Sequence, residues 1–204
     1  MKHQPFLNIL GVFIMVNMQP VTITATDSTT DQQTYFVFRN GKKVGALISQ
    51  IGYGPHETRM YLESKITGRL LIELQVNQTL EVTVSNGRMV YAGLVRKING
   101  STQINRQIQL QSTGYKISGT RCTCRSIPRE ITFTSTHLFF TEPIGQTELF
   151  SETLGTMVPV SQKSPGVYRL LLPDGDWSDY YYRNGILTRI VSKSFYGEVE
   201  MVLQ

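Results

Sequence analysis

Cysteine is almost missing from this chain of 204 residues. Cys122 and Cys124 are the two it has, which excludes a miniprotein held by a disulfide framework. Charge is sparse as well, at 17% of residues, and the net +5 comes without a block of one sign. A disordered tail or a dedicated nucleic-acid arm is far more lopsided than this, so no nucleic-acid partner is expected. Glycine at 17 and proline at 8 are far from fibrous composition. Past the N-terminal 25 residues, no apolar run approaches the ~20 residues that span a bilayer as a helix, so no transmembrane helix is expected in the mature chain. Some segments alternate as outer-membrane strands do, but without aromatic girdles at both strand ends, and that architecture is set aside.

Catalytic signatures are missing too. There is no G-x-S-x-G elbow, H-E-x-x-H helix, phosphate-cradling loop or dinucleotide fingerprint, so no catalytic residue and no cofactor is assigned. Zinc needs three or four Cys, His or carboxylate ligands at recognised spacings, and past residue 25 only His56 and His137 join the two cysteines. The acidic run from Asp174 to Asp179 fails as a calcium loop, because its sixth and twelfth positions hold Asp179 and Gly185 instead of Gly and an acid. Glu142, Glu148 and Glu152 are spaced as carboxylates often are by chance. No metal site is assigned.

The chain opens with a short basic start, an apolar stretch over residues 6–18 and a small-residue exit ending at Ala25. Those are the parts of a secretory signal peptide, so residues 1–25 read as a leader and 26–204 as one mature domain. No cysteine near the exit offers a lipid attachment point, which points to a periplasmic or secreted product.

Asparagine–glycine pairs punctuate the mature chain: Asn40-Gly41, Asn86-Gly87, Asn99-Gly100 and Asn184-Gly185, with Pro173-Asp174-Gly175 as a further turn. Type I′ hairpin turns need positive φ at both central residues, which Asn then Gly supplies at least cost. The intervening runs alternate with period two. In 102–111, Ile104, Ile108 and Leu110 share one face opposite Gln103, Asn105, Gln107, Gln109 and Gln111. Leu80, Val82 and Val84 alternate before Asn86-Gly87, and Met89, Tyr91 and Val95 are expected to continue the apolar face after it. Further strands are expected over 33–39, 44–51, 58–66, 114–118, 130–134, 167–172, 179–183, 186–193 and the chain end. Helical spacing is confined to 147–154, with Thr147 as cap, and to the ambiguous stretch 66–76. The fold class is therefore all-β: an antiparallel, hairpin-linked sheet curled into a closed or half-open barrel, with at most one or two short helices.

A curled sheet with apolar inner faces is either filled by its own side chains or holds a ligand. Tyr35, Val37, Ile104, Ile108, Leu110 and Leu170 are the candidate lining positions, chosen from alternation. The expected role is non-catalytic binding of an apolar or lipid-like envelope molecule. The alternatives are a filled barrel that meets an envelope protein partner, and a thiol-redox protein built on Cys122 and Cys124. In an extended segment that C-x-C pair would have Cα atoms ~6.7 Å apart, near the upper limit for a disulfide, so a bridge requires a turn there.

The ordered landmarks also form a pattern. Tyr35-Phe36-Val37-Phe38-Arg39-Asn40-Gly41-Lys42-Lys43-Val44-Gly45 comes first, followed by Val90-Tyr91, Glu142-Pro143, Phe150-Ser151-Glu152 and Leu154-Gly155. Tyr168, Leu172-Pro173-Asp174-Gly175, Tyr180 to Tyr182 and Asn184-Gly185 complete it. Together they resemble an uncharacterised domain-of-unknown-function family, number 6134 of that type, of exported proteins in Gram-negative bacteria. The resemblance implies a partly closed antiparallel barrel, broadly similar to lipocalin and lipoprotein-carrier architectures. It implies no activity and no site residues.

Overall fold

The computed structural model describes residues 30–69, 73–120, 126–194 and 197–204. The expected leader, Cys122 and Cys124 lie outside the described residues. The first eight strands are β1 (Thr30–Arg39), β2 (Lys42–Tyr53), β3 (Glu57–Arg69), β4 (Glu73–Ser85), β5 (Arg88–Ile98), β6 (Ser101–Gln111), β7 (Gly114–Gly119) and β8 (Ser126–Ile127). After a 3₁₀ turn (Ser135–Phe139) come β9 (Glu148–Ser151), β10 (Thr156–Ser164), β11 (Val167–Leu171), β12 (Trp177–Arg183), β13 (Ile186–Ser194) and β14 (Gly197–Leu203). They form one 14-stranded antiparallel sheet in the order β8-β7-β6-β5-β4-β3-β2-β1-β14-β13-β12-β11-β10-β9. The sheet does not close on itself, so the half-open form of the expected barrel is the one observed. No α-helix occurs among the described residues.

All four Asn-Gly pairs turn as expected: the asparagines have φ of 49 to 52° and the glycines after them 71 to 79°. Between the turns one face of each strand is buried. Leu47, Met60, Leu62, Leu80, Val82, Leu94 and Ile108 join Tyr168, Leu170, Tyr180, Leu187 and Ile190 in a single apolar cluster, so the two halves of the sheet enclose a common interior. The curl brings opposite ends of the strand order together. The Arg106 guanidinium of β6 donates to the carbonyls of Glu152 (3.2 Å) and Thr153, just past the far edge strand β9.

Three expectations need correction. Residues 130–134 do not form a ladder strand; they cross the seam between the two edges. The Met89 amide donates to the Ile131 carbonyl (2.8 Å) and the Phe150 amide to the Phe133 carbonyl (3.0 Å), with a parallel bridge at Thr134 and Phe150. The segment 147–154 is not helical. It holds β9 and the turn into β10, and Leu149 and Phe150 are both fully buried because this edge is covered on both faces. Consecutive apolar residues in a doubly covered strand imitate helical spacing. Finally, Tyr91 and Val95 do not continue the apolar face. Thr83 pairs with Tyr91 and Val84 with Met89, so Val90 is an extra residue, and the bulge moves Ala92 and Leu94 inward instead.

Gly119, at the end of β7, has φ +126°, and a Cβ added there would lie 1.9 Å from the Asn105 carbonyl oxygen. Gly119→Ala is expected to cost about 2 kcal/mol or more through backbone strain and the collision. Gly52→Ala, whose nearest added contact is Thr30 Oγ1 at 3.9 Å, should be near neutral in the same urea melts.

Candidate functional site

The inner wall of the sheet is the place to look for function, and it is occupied. The chain crossing the seam inserts its 3₁₀ turn against β3, β9 and β13. Leu138 is fully buried and Phe139 nearly so. The Phe139 ring meets the Tyr35 ring edge to face at 5.6 Å. The Tyr182 hydroxyl donates to the Leu138 carbonyl (2.6 Å), and desolvation drives that phenol far above its ordinary pKa.

This plug is held by one carboxylate. Glu152, with 0% exposure, sits in the turn after β9. Its Oε2 accepts from the Ser135 amide (3.2 Å) and hydroxyl, and its Oε1 from the Thr136 amide (3.2 Å) and hydroxyl (2.6 Å). Two of those donors are amides at the start of the 3₁₀ turn, where no intrahelical partner exists. His137 braces the same end. Its Nδ1 accepts from the Thr134 amide (3.1 Å) and lies 2.9 Å from the Thr134 hydroxyl, so the neutral imidazole carries its proton on Nε2. Phe133 stacks on the ring. Burial lowers the His137 pKa, and the nearby Glu152 charge opposes that shift.

Five of the six candidate lining residues belong to or pack against this interior cluster, and Val37 is buried outside it. Tyr35, Val37, Ile108 and Leu170 are buried, while Ile104 and Leu110 are partly buried against the core. The Tyr35 hydroxyl donates to Gln33 Oε1 (2.7 Å) and contacts the Leu187 carbonyl at 3.2 Å. Tyr180 and Tyr182 belong to the same interior, whereas Tyr181 lies under the Arg189 guanidinium, outside the apolar cluster.

Alternation alone did not single out a polar stripe across this apolar wall. In register, Tyr35 faces Leu47, Leu47 faces Ser64, Ser64 faces Gln78, Gln78 faces Arg96, and Arg96 faces Ile104. The adjacent inward row runs through Gln33, Ser49, Leu62, Leu80, Leu94 and Arg106. The Ser49 hydroxyl is fully buried without a hydrogen-bond partner, and so is Arg106 Nε. Arg96 Nε donates to Gln78 Oε1 (2.7 Å). Burial and the Arg106 charge lower the Arg96 pKa, in that order. The signal was present in the sequence: Arg106 lies between Ile104 and Ile108, on the apolar parity of its strand.

Recesses among the described residues lie away from this inner wall. One, of about 500 Å³, opens at the end near the β6–β7 turn between Leu110, Tyr115, Arg88 and Arg129. Both arginines there are paired, with Glu130 and Glu148 respectively. The other, about 150 Å³, is a shallow dip beside Gly93 with Tyr61, Glu81 and Tyr91 at its sides. Among the described residues no helix is long and apolar enough to cross a membrane, and no three His, Cys, Asp or Glu side chains gather as metal ligands.

Glu152→Ala leaves the Ser135 and Thr136 donors without their acceptor. It is expected to cost about 3 kcal/mol in urea unfolding, and Glu152→Gln, which keeps one acceptor oxygen, about half of that. Acid should loosen the same contact. The folded pKa of His137 lies below its unfolded value, so its stabilising share is complete above pH ~6.5 and is lost as pH falls from there through the folded value. Over that window the urea midpoint of the wild type should fall more than that of His137→Gln.

The geometry has counterparts. A solved structure similar to this chain is the crystal structure of a β-barrel-like protein of domain of unknown function DUF1849 from Brucella abortus. It has a TM-score of 0.52 and 13% identity, and the match covers 85% of this chain and 95% of that one. At that identity the likeness shows the fold alone. No curated protein matches the chain. The model of the family described as a domain of unknown function, DUF6134, matches residues 35–204, and the chain belongs to that family.

Proposed function

We propose that this is an exported, non-catalytic protein that binds an apolar or lipid-like molecule of the cell envelope on the inner wall of its curled sheet. The observation that carries this reading is the plug. A sheet whose interior is permanently solid has no need to fill it with a separate segment held by side-chain hydrogen bonds at one glutamate. Here Leu138 and Phe139 occupy apolar space that belongs to neither edge's ladder. A ligand tail entering the sheet takes their place, and the plug is then what covers the wall when no ligand is there. The leader-like first 25 residues support export to the periplasm or beyond.

The filled interior also favours a second reading, in which the barrel stays solid and an outer face meets an envelope protein. The two differ in the plug's response to ligand. Protein purified from its own host and examined by native mass spectrometry should carry a small apolar adduct, and a fluorescent fatty-acid probe should bind. Weakening the plug by about 1.5 kcal/mol with Glu152→Gln should raise probe affinity about tenfold, because docking of the plug competes with the ligand. Bare polypeptide with no probe binding by either form would remove the carrier reading and leave the solid barrel.

A further inference from the structure

The polar stripe on the inner wall is out of keeping with an all-apolar ligand. Among the described residues, five arginines of the sheet and its seam reach a carboxylate. Arg59 reaches Glu57, Arg88 reaches Glu130, Arg129 reaches Glu148 and Arg189 reaches Glu200. Arg169 forms a two-pronged pair with the buried Asp179, both contacts 2.6 Å, on the opposite face of its strand from the buried Tyr168 and Leu170. Arg96 and Arg106 differ. They face inward as diagonal neighbours on β5 and β6, and neither has a carboxylate within salt-bridge distance among the described residues. The nearest acid of the plug, Glu152, commits its carboxylate to Ser135 and Thr136, and Arg106 touches its carbonyl instead. Sheltered cations without a counter-charge are disfavoured unless something supplies one.

Their surroundings are complete for an anionic oxygen group. Arg96 keeps one donor on Gln78 and leaves its other guanidinium nitrogens without a partner among the described residues. Arg106 Nε is a buried donor with no acceptor, and opposite Arg106 on β7 stands Gly119, which adds no side chain. Ser64 and the unpartnered Ser49 continue the stripe toward β2. The stripe lies toward the end of the sheet with the Asn99-Gly100 turn, three residues beyond Arg96. Next to it, toward the opposite end, the inward row is apolar from β2 to β7: Ile51, Met60, Val82, Ala92, Ile108 and Ile117.

The geometry points to an anion site at Arg96 and Arg106 that holds the carboxylate or phosphate head of an amphiphile, whose tail runs along the apolar row beside it. This rests on the proposed binding of an apolar ligand and narrows it from apolar molecules in general to anionic ones. Guanidinium forks match carboxylate and phosphate oxygens, and charge-assisted pairs of this kind discriminate by an order of magnitude or more.

Decanoate, decyl phosphate, decanol and inorganic phosphate, each below any micelle concentration, test it by calorimetric titration of the mature chain. Both anionic amphiphiles should bind at least tenfold more tightly than decanol, and inorganic phosphate far more weakly than decyl phosphate. Arg96→Met should erase the preference while decanol binding persists, and Arg96→Lys should keep part of it. Arg96→Gln serves as a second neutral variant should the Met form not show the wild-type circular dichroism. Equal binding of decanol and decanoate would overturn the anion site while sparing the apolar-ligand reading. Inorganic phosphate binding as tightly as decyl phosphate would overturn the amphiphile in favour of a free anion. Silence from every probe would take down both the site and the reading beneath it.

Discussion

A sheet of 14 strands that curls without closing has two exposed edges and an inner face that water must not reach. Everything else in this protein depends on how that seam is covered. Closed barrels remove the edges by pairing the first strand with the last. Here β1 and β14 pair in the middle of the order, and the free edges belong to β8 and β9. The chain between those edges does the covering: it gives the Ile131 carbonyl to one side and the Phe133 carbonyl to the other, then turns inward. Glu152 holds the inward turn and Arg106 ties the turn after β9 back to β6. The cover is therefore anchored by polar side chains rather than by a continuous ladder, and polar anchors in a sheltered place are sensitive to charge and protonation.

The hairpin half of this fold was legible in the sequence because its signals are local. An Asn-Gly pair states its φ requirement within two residues, and Ile104, Ile108 and Leu110 declare their face within seven. The seam was not legible, for a physical reason. Leu149 and Phe150 are buried on consecutive positions because another part of the chain covers the second face of β9, and neither residue carries a trace of that distant partner. Pro159 hides β10 similarly. It sits opposite Glu148, just before pairing with β11 begins at Val160, so its missing amide proton does little harm there. The bulge at Val90 is a third case, since one extra residue reverses the meaning of every later alternation in the strand.

The candidate site was half legible. The apolar positions follow from parity: Tyr35, Val37, Ile108 and Leu170 are buried, and Ile104 and Leu110 partly so. Arg96, Arg106, Ser49 and Ser64 share that parity, and it is their chemistry that breaks the pattern. Local consistency is the usual rule for a sequence that folds, and departures from it concentrate at functional or strained positions. Glu152 breaks a rule as well, as a carboxylate without exposure, but four hydrogen bonds account for it and its role closes within the fold.

The inward arginines are accounted for only in part: Arg106 ties the turn after β9 through its Nη1, but its buried Nε has no acceptor and Arg96 has only Gln78. The sheet pairs arginines with carboxylates across strands and at the seam, as Arg169 with Asp179 and Arg129 with Glu148 show, so the chemistry for neutralising Arg96 was available to this fold. Replacing Gln78, directly opposite, by a glutamate would neutralise it without altering length or register. A half-buried cation left with an amide for a partner, beside a second cation whose Nε has no acceptor, is on the proposed reading an arrangement that becomes favourable when an anion arrives from outside. The same wall that makes the interior apolar makes that arrival count for more than it would in water, because the low dielectric strengthens the pairing once it forms. In the proposed complex, burial of the tail and pairing of the head are one event, which is the physical meaning of selecting an amphiphile over either an oil or a salt.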